Sequence, residues 1–125
     1  MGHDALLPRR TLSKTPKTDR ALDDVAGIVR CLPASEVRRQ ELGARVAEIR
    51  SVPSAVIRCE STLSVIDGLV RDSAASQRHL EETSRVDPAI GVLASVLESL
   101  RKLRKGLEAE LNQARARAAL GTAGD

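Results

Sequence analysis

Cys31 and Cys59 are the residues best equipped for covalent or metal chemistry, and their setting argues against both. They stand 28 positions apart without a C-x-x-C pair, and His3 and His79 are distant from them, so the usual four-ligand zinc set cannot be assembled. Their simplest reading is as small buried hydrophobes in a reducing compartment, with a disulfide between helices as the alternative. Neither histidine has a neighbouring nucleophile, a glycine-rich phosphate loop or a ligand constellation around it. The pattern therefore points to a non-enzymatic protein without a cofactor or a small-molecule substrate. Ser13, three residues after Arg10, and Thr15, just before Pro16, are candidate phosphorylation sites. A phosphate there would nearly reverse the local charge.

That local charge is the only net charge in the chain. Residues 1–20 hold five basic and two acidic side chains, which accounts for the whole formal +3. The remaining acids and bases balance, so there is no general basic field for nucleic acid, and with no aromatic residue there is nothing for bases to stack on. Arg101, Lys102, Arg104 and Lys105 read first as a solvated helix face, and second as a contact for acidic lipid or an acidic partner. No apolar run approaches the roughly 18 residues of a membrane span. The first residues lack a hydrophobic signal core, and the Met1-Gly2 start fails the myristoylation pattern at Leu6. The expected location is cytoplasmic, with membrane contact indirect at most.

Zero aromatics also constrain the fold. Each aromatic normally buries roughly 150–250 Å², so a core here must be built from Leu, Val, Ile and Ala and will be thin. Residues 1–17, with Pro8, Pro16 and the basic cluster, read as a flexible tail. Residues 18–51 read as two short amphipathic helices. The first runs from a Thr18 cap through Leu22, Val25, Val29 and Leu32 to Pro33. The second starts from a Ser35 cap and carries Val37, Leu42, Val46 and Ile49, with Glu41 placed to pair with Arg45. Pro53 should break or kink the chain near Val52. Residues 121–125 read as a disordered end.

Residues 52–120 carry the strongest pattern. Ile49, Val52, Val56, Cys59, Leu63, Ile66, Val70, Ser73, Gln77 and Leu80 follow alternating steps of three and four, the seam of a coiled coil. Ile90, Leu93, Leu97, Leu100, Leu103, Leu107, Leu111, Ala114 and Ala118 continue it. Between them lies SRVDP, where Asp87 suits a helix cap and Pro88 a first helical position, so a turn near 84–87 should reverse the chain. Antiparallel pairing then joins residues whose numbers add to 170: Leu80 with Ile90, Val70 with Leu100, Leu63 with Leu107. Ile66 falls out of step and meets Arg104. The expected fold is all-α, a long antiparallel helical hairpin with shorter N-terminal helices.

Ser73 and Gln77 on this seam are read as exposed near the hairpin end or as setting register and partner choice. Asp67 with Arg71, Glu81 with Arg85 and Glu98 with Lys102 are spaced for pairing along the outer faces. Five glycines inside predicted helices cost about 1 kcal/mol each relative to alanine, so an isolated hairpin should be marginal. Val92, Val96 and Leu103, with Val65 and Leu69, form a second apolar row beside the seam. Either the N-terminal helices fold back over it or, as the greater length of the arms favours, helices of other chains cover it.

The stretch Ile66-Asp67-Gly68-Leu69, followed by Asp87-Pro88 and by Leu93 five residues after the proline, resembles the snapin family over roughly residues 63–93. That family also places an Ile-Asp-x-Leu stretch ahead of an Asp-Pro that opens its last helix. The resemblance implies a small coiled-coil subunit of the complexes for lysosome-related organelle biogenesis and lysosome positioning, at the cytosolic face of endosomal membranes. The residues alone support a scaffold or adaptor in a multi-chain, hetero-oligomeric helical complex. A bacterial secretion chaperone or co-chaperone that shields a helical export substrate is the alternative.

Overall fold

A computed structural model describes residues 16–84 and 86–120, which form four helices: α1 (Pro16–Cys31), α2 (Glu36–Arg50), α3 (Ala55–Thr83) and α4 (Ala89–Ala119). The protein is all-α, and α3 and α4 make the long antiparallel hairpin. At 1.5 Å per residue the 29 residues of α3 and 31 of α4 reach roughly 44 and 46 Å. The candidate phosphosites Ser13 and Thr15, Arg85 in the turn, and residues 121–125 lie outside the described residues.

Local chemistry explains each boundary. The Ser35 hydroxyl accepts the Arg38 N–H at 3.1 Å, and Ser54 does the same for Ile57 at 3.2 Å, so both α2 and α3 start from serine caps. Pro53 lies in the link between α2 and α3, a break rather than a kink. In the reversing turn, the Asp87 carboxylate accepts the Ala89 N–H at 2.9 Å and opens α4. The cap expected at Thr18 is a correction: α1 already begins at Pro16, whose fixed φ suits a first turn, and Thr18 is buried inside the helix.

Contacts across the hairpin straddle the expected register. Cys59 Sγ donates to the Leu107 carbonyl at 3.4 Å, Arg104 meets Asp67 at 2.8 Å and Arg115 meets Glu60 at 2.7 Å, pairs whose numbers add to 166, 171 and 175. Asp67 therefore reaches across to α4 instead of along its own helix to Arg71. On α2, Glu41 lies 3.7 Å from Arg38 and Arg45 takes Glu48 at 3.0 Å, so the expected Glu41–Arg45 pair does not form. These exposed pairs are each worth under about 1 kcal/mol and fix position more than they add stability.

The second apolar row is covered in part from within: Leu69 and Val96 are buried, Val65 and Leu103 are half-buried, and Val92 stays exposed. Helix α1 lies over the hairpin and packs on both α3 and α4, burying Leu22, Val25 and Val29. Helix α2 packs on α1 and α3, burying Leu42, Val46 and Ile49, and does not reach α4. Leu69 and Val96 are buried as a result, Val65 is half-buried, and Ser73 is buried rather than exposed. Gly43, exposed on α2 beside the crevice with α1, has open space where a β carbon would stand. Gly43→Ala should therefore stabilise the protein by about 1 kcal/mol in a urea titration, and a neutral or destabilising result would contradict a helix at that position.

Candidate interaction surface

The seam expected from the sequence divides into two parts. Ile66, Leu93, Leu97, Leu100, Leu107 and Leu111 are buried. Val52, Val56, Leu63, Val70, Leu80, Ile90 and Leu103 are half-buried. For Leu80 and Ile90 the reason is length: α1 and α2, at 16 and 15 residues, each span about half a hairpin arm. The α1–α2 link lies level with Ser73 and Leu93, and beyond it Gln77, Leu80 and Ile90 rely on one another.

Arginine side chains hold the links in place. The Arg39 guanidinium donates to the carbonyls of Leu32 and Ala34 at 2.9 and 2.7 Å, closing the end of α1. Arg58, only 1% exposed, donates to Val52 O at 2.6 Å and Pro53 O at 3.3 Å, and its Nε lies 3.9 Å from the Asp19 carboxylate. A buried guanidinium is tolerated because it satisfies carbonyls that have no helical partner. Sequence reasoning missed Arg58. An arginine beside a seam cysteine carries no pattern that separates it from the solvent-facing arginines around it.

Beneath the start of α1 lies a buried polar group that was also not anticipated. Glu110, 4% exposed, projects from α4 toward Thr18. Neither Thr18 Oγ1 nor Glu110 Oε2 completes a hydrogen bond of good geometry among the described residues. Burial pushes the Glu110 carboxyl above its ordinary value, against the opposing pull of the nearby Thr18 hydroxyl and backbone N–H. Burial likewise raises the Cys59 thiol beside it. Cys59 fits the expectation of a small buried hydrophobe. Cys31 does not, since it is exposed at the end of α1, and both thiols are free.

One flank of the bundle stays open. On the α3 side, α2 fills the furrow beside α1. On the α4 side the equivalent furrow holds no described helix. It is a groove of about 850 Å³ floored by Ile28, Val96 and Leu103, with Val92, 41% exposed, at one end. It continues toward the start of α1 in a further 150 Å³ beside Lys17, Arg20 and Gly106. Of the four residues expected to form a partner face, Val92 and Val96 line this groove, Val96 also being part of the buried core, whereas Val65 and Leu69 pack in or against the core and do not line it. Lys102 stands on the groove's rim and Arg104 in the Asp67 pair, so the basic cluster does not act as one patch.

Among the described residues no group of three or more His, Cys, Asp or Glu is arranged to hold a metal ion, and no helix is long and apolar enough to cross a membrane. No family model matches the chain, and no curated protein or solved structure matches it.

The raised carboxyl gives a signed prediction. A folded state that prefers protonated Glu110 holds its full advantage below the ordinary value of 4.5 and loses it as pH rises through the folded value. Glu110→Gln should therefore match the wild type at low pH and become progressively more stable than it as pH rises above about 4.5, measured as paired urea midpoints across pH. A stability difference independent of pH would contradict a buried carboxyl at this position.

Proposed function

We propose that the protein is a non-catalytic subunit of a multi-chain helical assembly, an adaptor or scaffold that presents a helix-wide apolar furrow to other helices. The single observation that carries this reading is the open groove between α1 and α4. Its floor is aliphatic, it runs along most of α1, and no described segment of the chain lies in it. The counterpart furrow on the α3 side, occupied by α2, shows what such a groove accepts: a short amphipathic helix with apolar residues at steps of four and three. The half-buried hairpin end around Leu80 and Ile90 supplies a second, smaller surface of the same kind. The local resemblance to the snapin family supports a place for this assembly at the cytosolic face of endosomal or lysosomal membranes.

Affinity purification of the tagged full chain tests the proposal. Several helical chains should be recovered in fixed stoichiometry, and Val92→Glu combined with Ser99→Glu, both at exposed positions of the groove, should reduce their recovery by about tenfold or more while leaving the helical circular dichroism unchanged. Recovery of a single client that is handed on and released would indicate a chaperone instead. Recovery indifferent to both substitutions would sink the reading of the groove as the docking surface.

A further inference from the structure

We infer that the occupant of the groove between α1 and α4 is an acidic amphipathic helix of another protein, whose carboxylates meet a basic rim at the start of α1. The inference rests on reading this groove as a docking surface and names the chemistry of what docks there. Lys17 and Arg20 of α1 line its narrow stretch together with Lys102 of α4, and Asp24 is the one acid among them. All four side chains are exposed, and none forms an ion pair with another described residue. The other acid of the groove, Asp23, is already held by Arg50 of α2 at 2.7 Å. The uncompensated charge at this end is therefore positive, three bases against one acid.

The filled furrow on the α3 side has the opposite polarity. Both ion pairs that tie α2 to its bed put the base on α2 and the acid on the bed, Arg50 with Asp23 of α1 and Arg38 with Asp72 of α3 at 3.1 Å. A helix with the charges of α2, laid in the α4-side groove, would bring arginines onto Lys17, Arg20 and Lys102, and like charges set side by side are unfavourable. The occupant must keep the apolar spacing of α2 and reverse its charge. Two nearer occupants fail on the same ground. A second copy brings the same excess of bases to the interface. Residues 1–15 hold Arg9, Arg10 and Lys14 against Asp4 and join the chain next to Lys17, so they add positive charge where it is already in excess.

Shape decides for a helix over an anionic lipid surface. Val96 is buried and Ile28 and Leu103 are half-buried on the floor of the groove, whereas a lipid surface takes up apolar side chains that project. A furrow with a charged rim takes the apolar face of a helix, and the rim sets which helix is accepted. From Lys17 to Cys31 the groove follows α1 for about 21 Å, roughly four helical turns. Gly27 and Gly106 line it with open space where their β carbons would stand, which leaves room for an arriving backbone.

Two synthetic helical peptides of the length of α2 provide the test. Both carry leucines at steps of four and three, and they differ only in having glutamate or lysine at the flanking positions. Fluorescence anisotropy of each labelled peptide, titrated with the full chain, should show the glutamate peptide binding about tenfold or more tightly than the lysine peptide. Arg20→Glu combined with Lys102→Glu, both at exposed positions, should weaken the glutamate peptide by about tenfold or more and transfer the preference to the lysine peptide. Arg20→Gln with Lys102→Gln should abolish the preference without reversing it, which keeps the test decisive if the reversed pair disturbs the fold. Lys17 is left in place because it also acts on the Glu110 carboxyl. A glutamate peptide that does not bind, equal binding of the two peptides, or a preference that ignores both pairs of substitutions would overturn the inference. So would a glutamate peptide that stays free while vesicles of phosphatidylserine and phosphatidylcholine bind through Arg20 and Lys102, since the rim would then serve a lipid surface. If the chains recovered by affinity purification are lost on Val92→Glu with Ser99→Glu but unmoved by Arg20→Glu with Lys102→Glu, the acidic chemistry is wrong and the adaptor reading stands.

Discussion

The packing of α1 along the hairpin is the interaction on which the rest of the structure depends. Without aromatic side chains, α3 and α4 meet through leucine, valine, isoleucine and smaller residues, and several layers take only Cys59, Ser73 or Ala114 from one of the two arms. Those small layers bury little area between two helices, yet all three residues are fully shielded. Part of that cover is α1, which lies against both arms and inserts Leu22, Val25 and Val29, each worth about 1.5–3 kcal/mol when fully buried. The same overlay buries Thr18, Arg58 and Glu110. Arg58 is accommodated by carbonyl acceptors, while Glu110 is left with an unsatisfied oxygen.

The open flank follows from how the chain is connected. After α1 ends at Cys31, a short link turns the chain into α2, and Pro53 lies in the next short link, leading to α3 at Ala55. Helix α2 must finish where α3 begins, so it is confined to the α3 side of α1. Arg50 with Asp23 at 2.7 Å and Arg38 with Asp72 at 3.1 Å pin it there. No described helix is left to serve the α4 side. The asymmetry is thus a consequence of link length, and the groove is where α1 and α3, with α2 packed to one side, fall short of enclosing α4.

Much of this was legible in the sequence, because its strongest signals are periodic. The alternating three-and-four spacing gave the hairpin, SRVDP its turn, Ser35 a cap and Pro53 the break. Signals that depend on a third helix were not legible. Val96 and Leu69 look alike on a helical wheel, yet one lines the open groove and the other lies beneath α2. Asp67 is equally well spaced for Arg71 and for a residue across the hairpin, and only the helix crossing decides for Arg104. Thr18 reads as a cap until Pro16 is seen to start the helix. Glu110 carries no signal of its burial in the sequence, where it is one acid among the charged residues of α4.

The most direct test of the central claim, that α1 seals the hairpin, is the labelling rate of Cys59 in a Cys31→Ser chain, where it is the sole thiol. Cys59 is fully buried, with Leu107 accepting its thiol hydrogen and Thr18 of α1 beside it. Labelling in the folded protein should be slower than in the denatured chain by about a hundredfold or more, and should accelerate only in the denaturant range where helicity is lost. Labelling as fast in the folded protein as in the unfolded one would show that α1 does not lie over the hairpin.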